Sequence, residues 1–292
     1  MLDRKIAFKY SPVVNNGFLG EGHQAAMLFE NLDFSQTDPF ILLADDHLDL
    51  SGAIPTGSAH PHAGIEIAMF IIEGKLPENG KVLQAGDLEF LTTGSGIVHA
   101  DAFNEPIKTR ILQLWITLPK KERYAEPREQ QLHVHTIPVQ KNGNNEIRVY
   151  SGSSNGLQAP TQNHVPITIV DFHFDSGYET VQVIPATYNA FIYVISGAVA
   201  IGDGEDIISK NEIAWFSIPG KDHQDSSQIK FTGVEDGTRF VFYAGEPQHS
   251  RIVRRGPFVV DSQEEIPDLY DRYRSGKMTH VKNFRPDQVI TY

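Results

Sequence analysis

Short hydrophobic runs, separated by glycines and polar turns, dominate the chain. Ile65–Ile72, Arg110–Thr117, Ile167–Phe174 and Ala190–Ile195 are examples, rich in the β-branched and aromatic residues that strands favour. Strands at this regular spacing, with turn signals between them, indicate sandwiches or barrels. A helical pattern occurs at Gln263–Ser275, after a polar stretch typical of a helix start. The pattern therefore predicts an all-β protein with a short C-terminal helix.

The same strand pattern occurs twice along the chain. Ile67–Gly74 resembles Phe191–Gly197, and residues 86–94 resemble residues 211–220. The two copies follow one another at nearly constant offset, as expected of two repeated structural units rather than one large domain. Each half is long enough to bury a core of its own.

The boundary between the two units is expected near the polar stretch Lys120–Glu129. A chain of 292 residues exceeds what one small core needs, which agrees with two domains of ordinary size. We therefore predict an N-terminal domain at residues 1–130. A second domain with a C-terminal tail is predicted at residues 131–292.

Composition excludes several classes of function. The formal net charge is −12, and the lysines and arginines are scattered, so direct binding to nucleic acid is not expected. The chain has no cysteine, which excludes disulfides, zinc–thiolate sites and iron–sulfur clusters. The N-terminus lacks the apolar core of a secretory signal, and no apolar run is long enough to span a membrane. We expect a cytoplasmic protein without membrane attachment.

Two short pairs of metal-binding side chains lie in the first half. His60 and His62 precede a strong predicted strand, and His99 and Asp101 repeat the same spacing farther on. On an extended chain, residues i and i+2 face the same side. Two such pairs on separate strands would bring three imidazole nitrogens and one carboxylate to a common point. This donor set suits a divalent transition metal with open positions.

A His-x-His pair alone is weak support for a metal site, since the chain has 12 histidines. His133 and His135 have the same spacing but no following carboxylate pair, and we interpret them as structural. The repeat supplies a control, because Val183 and Pro185 take the place of the first histidine pair in the second copy. The fold therefore does not require these histidines, and we predict a metal only in the first unit.

The stretch HPHAGIEIAMFIIEGKL at residues 60–76, followed by GDLEFLTTGSGIVHADAF at residues 86–103, resembles the pirin family of the cupin superfamily. The resemblance covers nearly the whole chain. It implies two cupin barrels in tandem, each a double-stranded β-helix or jelly roll, with iron in the N-terminal barrel and none in the C-terminal one. The family's ligands then correspond to His60, His62 and His99, with Asp101 where the family has glutamate.

The chain departs from the family pattern at three places. Asp101 is one methylene shorter than the usual glutamate, Ala63 replaces an arginine, and the hairpin at Lys75–Gly80 lacks the usual His-x-Asp stretch. Glu66 is an alternative fourth ligand, four residues after His62, as in many other cupins. It would otherwise be an acceptor that orients a histidine. We favour Asp101.

The resemblance implies a non-haem metal enzyme similar to quercetin 2,3-dioxygenase, using Fe(II) or another divalent transition metal on a flavonol or similar enolisable aromatic substrate. In that hypothesis Asp101 or Glu66 accepts the substrate's hydroxyl proton. The alternative is a metal-dependent, redox-sensing binding protein or transcriptional co-regulator that binds a protein partner without turnover. A third possibility is a cupin that has lost its metal and binds a small molecule.

Overall fold

The computed structural model describes residues 1–52, 57–78, 80–100, 103, 105–204, 206–219 and 226–292. Its strands are, in chain order, β1 (Leu2–Asp3), β2 (Ile6–Tyr10), β3 (Val14–Asn16), β4 (His23–Met27), β5 (Phe40–Leu50), β6 (Ala59–His62), β7 (Ile65–Glu78), β8 (Lys81–Gln84), β9 (Leu88–Thr92), β10 (Ile97–Ala100), β11 (Ile107–Thr117), β12 (Arg128–Leu132), β13 (Val139–Asn142), β14 (Asn145–Ser151), β15 (Ser153–Ser154), β16 (Leu157–Gln158), β17 (Ile167–Phe174), β18 (Glu179–Pro185), β19 (Asn189–Ser196), β20 (Ala198–Ile201), β21 (Asp206–Ser209), β22 (Ile213–Phe216), β23 (Ser226–Gly233), β24 (Thr238–Gly245), β25 (Val253–Arg255), β26 (Phe258–Val260), β27 (Thr279–His280) and β28 (Val289–Thr291).

Helices are few and short in the described part of the chain: α1 (Phe34–Thr37), α2 (Ile266–Arg274) and single 3₁₀ turns at Lys120–Glu122, Gln263–Glu265, Val281–Asn283 and Pro286–Gln288. The predicted C-terminal helix is confirmed. It begins as a 3₁₀ turn in which Ser262 and Glu265 form a reciprocal capping box. No described helix has the length and apolar character needed to cross a bilayer.

The chain divides into two compact units, and each unit includes one end of the chain that is distant in sequence from the rest of that unit. The first barrel unit comprises residues 13–136 and 248–292, and the second barrel unit comprises residues 1–12 and 137–247. This division differs from the predicted domains at residues 1–130 and 131–292. Strand pairing is the reason: β1 and β2 pair with β23 and β22, whereas β28 pairs with β12. A hydrophobic pattern identifies a strand but not the partner it will choose.

The first barrel unit contains the predicted histidines. Its larger sheet has the order β28-β12-β9-β7-β11-β5-β4-β3, with β8 on β7, and a smaller sheet has the order β27-β10-β6. The first eight residues of β7, Ile65–Ile72, are buried on both faces, which explains their continuous apolar sequence. The small sheet, which carries the histidines, is completed by a strand from the C-terminal tail.

The second barrel unit also has two larger sheets, and among its described residues the histidine cluster is not repeated. Its two larger sheets have the orders β13-β14-β17-β24-β19-β22-β2 and β1-β23-β20-β21, with β18 on β23, and β15 pairs with β16 in a separate ladder. β18 alternates exposed and buried residues, as expected of a sheet with one face in solvent. Phenylalanines fill the core, where the rings of Phe172 and Phe240 stack with centroids 4.9 Å apart. Both units are cupin barrels, as predicted.

Candidate metal centre

Three of the four predicted ligands converge in the first barrel unit. Strands β6 and β10 are antiparallel, with His99 directly opposite His60 and Ile97 opposite His62. The ring centroids of His60 and His99 lie 4.3 Å apart, and that of His62 lies 5.0 Å from each. One nitrogen from each ring falls within 4.8 Å of the other two. The i, i+2 spacing on β6 and the cross-strand register together produce this cluster.

Burial shifts the pKa of His62, and a hydrogen bond orients the ring of His60. His62 and His99 are 5% and 6% exposed. Burial lowers the pKa of His62 well below its usual value, and the neighbouring His99 and His60 rings add to the effect. His60 Nδ1 lies 3.0 Å from the carbonyl oxygen of Ser58. Because a carbonyl only accepts, Nδ1 carries a proton, and Nε2 is the nitrogen of this ring that could face a metal.

A break in the strand separates the histidines from β7. Gly64 has φ +80°, and a Cβ at this position would lie 1.8 Å from the carbonyl oxygen of Val259. Only glycine meets both conditions without strain. After the break, Ile65 and Ile67 pack in one cluster with Trp115, whose ring meets the edge of His62 at 5.1 Å. The face of β7 toward His62 is therefore apolar.

This geometry bears on the alternative fourth ligand. Glu66 lies between Ile65 and Ile67, so its side chain is directed to the opposite face of β7. There it is fully buried and accepts a hydrogen bond of 2.8 Å from the Thr92 hydroxyl. Among the described residues the nitrogen cluster includes the three histidines and no carboxylate. Asp101 lies outside the described residues, so its role as the fourth ligand stays a prediction.

The C-terminal tail forms one wall of the centre. The Pro257 carbonyl lies against the His62 ring and opposes part of the fall in its pKa. Two residues on, the Val259 amide donates to the Ala63 carbonyl at 3.0 Å. The tail is fixed by Arg123, a fully buried guanidinium that donates to Thr117 Oγ1 at 2.6 Å and to Asp261 Oδ1 at 3.2 Å. Sequence far from the histidines thus determines their surroundings.

Comparison with known proteins shows the family to which the chain belongs. The family model described as Pirin matches residues 22–116, and the model of the Pirin C-terminal cupin domain matches residues 169–279. Pirin-1 of Arabidopsis thaliana is 32% identical over 265 residues, which cover 88% of this chain and 89% of the relative. The chain belongs to the pirin family. The first matched region lies within the first barrel unit, and the second begins in the second barrel unit and continues through residues 248–279, which belong to the first.

Solved structures agree with this assignment. A quercetin 2,3-dioxygenase from Acinetobacter baumannii superposes with a TM-score of 0.79 at 21% identity, covering 94% of this chain and 98% of that one. The bacterial pirin YhhW from Escherichia coli, solved in complex with nickel(II), superposes with a TM-score of 0.59 at 18% identity over 82% and 99% of the two chains. At these identities the likeness shows the shared cupin fold.

The donor set of this pirin-family chain fits a transition-metal ion. Three imidazoles that share one point, two of them nearly excluded from solvent, form the kind of site that divalent iron, nickel or copper prefers. By contrast, the two histidines of the second His-x-His pair, His133 and His135, do not converge on one point. His133 Nδ1 lies 3.5 Å from Asp87, and His135 is exposed at the turn that follows β12. Sequence spacing alone does not distinguish these two pairs, whereas strand register does.

Sequence reasoning missed Glu78 and the tail. Glu78 ends β7, is 3% exposed, and places Oε1 3.6 Å from His99 Nδ1. A usable signal was present, because Leu76 and Glu78 continue the alternation of β7 and share a buried face. Pro257 contacts His62, and the Arg254 guanidinium lies 5.2 Å from the Trp115 ring centroid. No local pattern reveals partners so distant in sequence.

Proposed function

We propose that this chain binds one divalent metal ion, Fe(II) in the cell, through His60, His62, His99 and Asp101, and that it is an oxygenase of the quercetin 2,3-dioxygenase type. The observation that carries the proposal is the convergence of three imidazole nitrogens within 4.8 Å on paired strands. The nickel complex of YhhW and the fold shared with a quercetin 2,3-dioxygenase support it.

Each residue has a defined part in this proposal. When bound, the metal supplies Lewis acidity and a path for electrons between substrate and dioxygen. His60 and His62 hold it from β6, and His99 holds it from β10. The apolar surface of Trp115, Ile65 and Ile67 excludes water from the side of His62. Asp101 accepts the hydroxyl proton of a flavonol or similar enolisable aromatic substrate.

The test combines metal analysis with oxygen consumption. Protein reconstituted anaerobically with Fe(II) is expected to contain one ion per chain and to consume dioxygen when quercetin is added. His60→Ala should lose both properties. His135→Ala is the matched control, because it removes an exposed histidine from the other His-x-His pair of the same unit. Metal without oxygen consumption would overturn the oxygenase and favour the redox-sensing binding protein. Absence of metal would overturn both.

A further inference from the structure

Glu78 is a buried acidic residue whose location is unexplained by the four predicted ligands. It lies at the end of β7, in the shortened hairpin that continues into β8. Its side chain is 2% exposed and that of His99 8%, with Oε1 and Nδ1 3.6 Å apart. This distance exceeds a hydrogen bond, and a small rotation of either side chain would close it. The carboxylate therefore faces the side of the ring that a metal bound at Nε2 would leave free.

The other two histidines have acceptors of a different kind. His60 Nδ1 is bonded to the carbonyl of Ser58, and the His62 ring lies against the carbonyl of Pro257. Each histidine of the cluster thus has an oxygen acceptor beside it, and only that of His99 carries a formal charge. A carboxylate on the outer nitrogen fixes the tautomer of a metal-bound histidine and makes its inner nitrogen a stronger donor.

Electrostatics favours the same arrangement. An ionised carboxylate removed from water is costly unless a positive charge lies nearby. A dication at the common point of the three rings would supply such a charge across the His99 ring. A metal-loaded centre would therefore stabilise the buried carboxylate of Glu78.

We propose that Glu78 is the positioning residue of His99: it accepts a hydrogen bond from Nδ1 and directs Nε2 toward the metal. This inference rests on the proposed metal site but not on oxygenase activity. It also gives the end of β7 a function in this chain, since Glu78 contacts His99 of β10 from that position.

Metal affinity gives the first test. Zn(II) binding is measured by competition with a chromophoric chelator for the wild type, Glu78→Gln and Glu78→Leu. Loss of such a partner typically weakens metal affinity by about 10- to 100-fold, which is expected for Glu78→Leu. Glu78→Gln keeps an oxygen that accepts a hydrogen bond and should lose less. Glu73→Gln and Glu73→Leu are matched controls on the same strand, because Glu73 is 69% exposed, and should bind as the wild type does. Equal affinity of all five proteins would overturn the inference.

The imidazole tautomer gives a second test that does not require metal. In ¹⁵N-histidine-labelled protein, long-range ¹H–¹⁵N spectra report which nitrogen of the neutral His99 ring is protonated. We expect an Nδ1–H tautomer in wild type and in Glu78→Gln, and a mixture of tautomers in Glu78→Leu. An Nε2–H tautomer in metal-free wild type would overturn the positioning role. If wild type binds no Zn(II), the metal site fails and the positioning role of Glu78 fails with it, whereas metal binding without oxygen consumption overturns the proposed oxygenase and leaves the inference standing.

Discussion

Gly64→Ala tests whether the break between β6 and β7 is required by packing against the tail. The substitution adds one methyl group where the backbone has φ +80°, and that carbon would lie 1.8 Å from the Val259 carbonyl oxygen. Neither side can move freely. The Val259 amide is bonded to Ala63, and the Gly64 carbonyl accepts from Arg123. The clash must therefore be relieved by displacing the C-terminal tail at Val259 from the segment that joins β6 to β7.

Two contributions set the expected cost. A left-handed backbone costs an L-residue about 1–2 kcal/mol. Forcing a methyl group into a packed site adds about 1–3 kcal/mol, so Gly64→Ala should lower the free energy of unfolding by about 2–5 kcal/mol. Gly20→Ala is the matched control, because Gly20 has φ +90° in the same unit and its added methyl group would meet no atom within 4 Å. It should lose only the backbone contribution, about 1–2 kcal/mol.

The assay must follow the first barrel unit alone, since two units need not unfold together. The chain has two tryptophans, Trp115 in the first unit and Trp215 in the second. In a Trp215→Phe background, urea unfolding followed by fluorescence reports on the environment of Trp115, beside His62. If Gly64→Ala and Gly20→Ala destabilise this unit equally, the proposed steric conflict with the tail is wrong.

Three further predictions concern the fourth metal ligand, the C-terminal tail and the second barrel unit. In equilibrium dialysis, Asp101→Glu should keep or increase metal affinity, and Glu66→Gln should leave it within about twofold because Glu66 is directed to the opposite face of its strand. Loss of affinity in Glu66→Gln but not in Asp101→Glu would make Glu66 the ligand. Arg123→Leu should cost the first unit about 3–5 kcal/mol in urea unfolding, since it leaves an acidic partner unpaired; a loss below about 1 kcal/mol would refute the role of Arg123 in fixing the tail. Burial alone would raise the pKa of Asp171, yet Arg239 and His173 bring it below its usual value of 3.8. This pairing therefore stabilises the second unit above that pH, and the stabilisation is lost as the pH falls toward the folded-state pKa. The decrease of the urea unfolding midpoint with acidification should be smaller in Asp171→Asn than in the wild type.

The strands and the shared face of His60 and His62 were predictable because both depend on local rules, whereas the convergence of His99 on them also requires the register of β10 with β6. Alternation along β6 places His60 and His62 on one side whatever the rest of the chain does, and the repeat indicated two similar units. The apolar run of β7 and the helix start at Ser262 are similarly local. These features depend on spacing within a few residues, which the sequence contains directly.

Features that depend on pairing between distant segments were not predictable. The exchange of residues 1–12 and 248–292 between the two units follows from which edge strand each terminus meets, and many short strands would fit either edge. Pro257 reaches His62 only because the tail pairs beside β6 and β10. Glu66 illustrates a related difficulty, since its direction depends on whether Gly64 interrupts the strand or merely bends it.

The most direct test of the account is an anomalous-scattering map from crystals of the protein loaded with Ni(II) or Fe(II), recorded at the metal's absorption edge. We expect one peak per chain, about 2.0–2.1 Å from one nitrogen of each of His60, His62 and His99, as in other imidazole-bound metal sites. A peak held by other side chains, or no peak in fully metal-loaded crystals, would contradict the metal centre on which the proposed function rests.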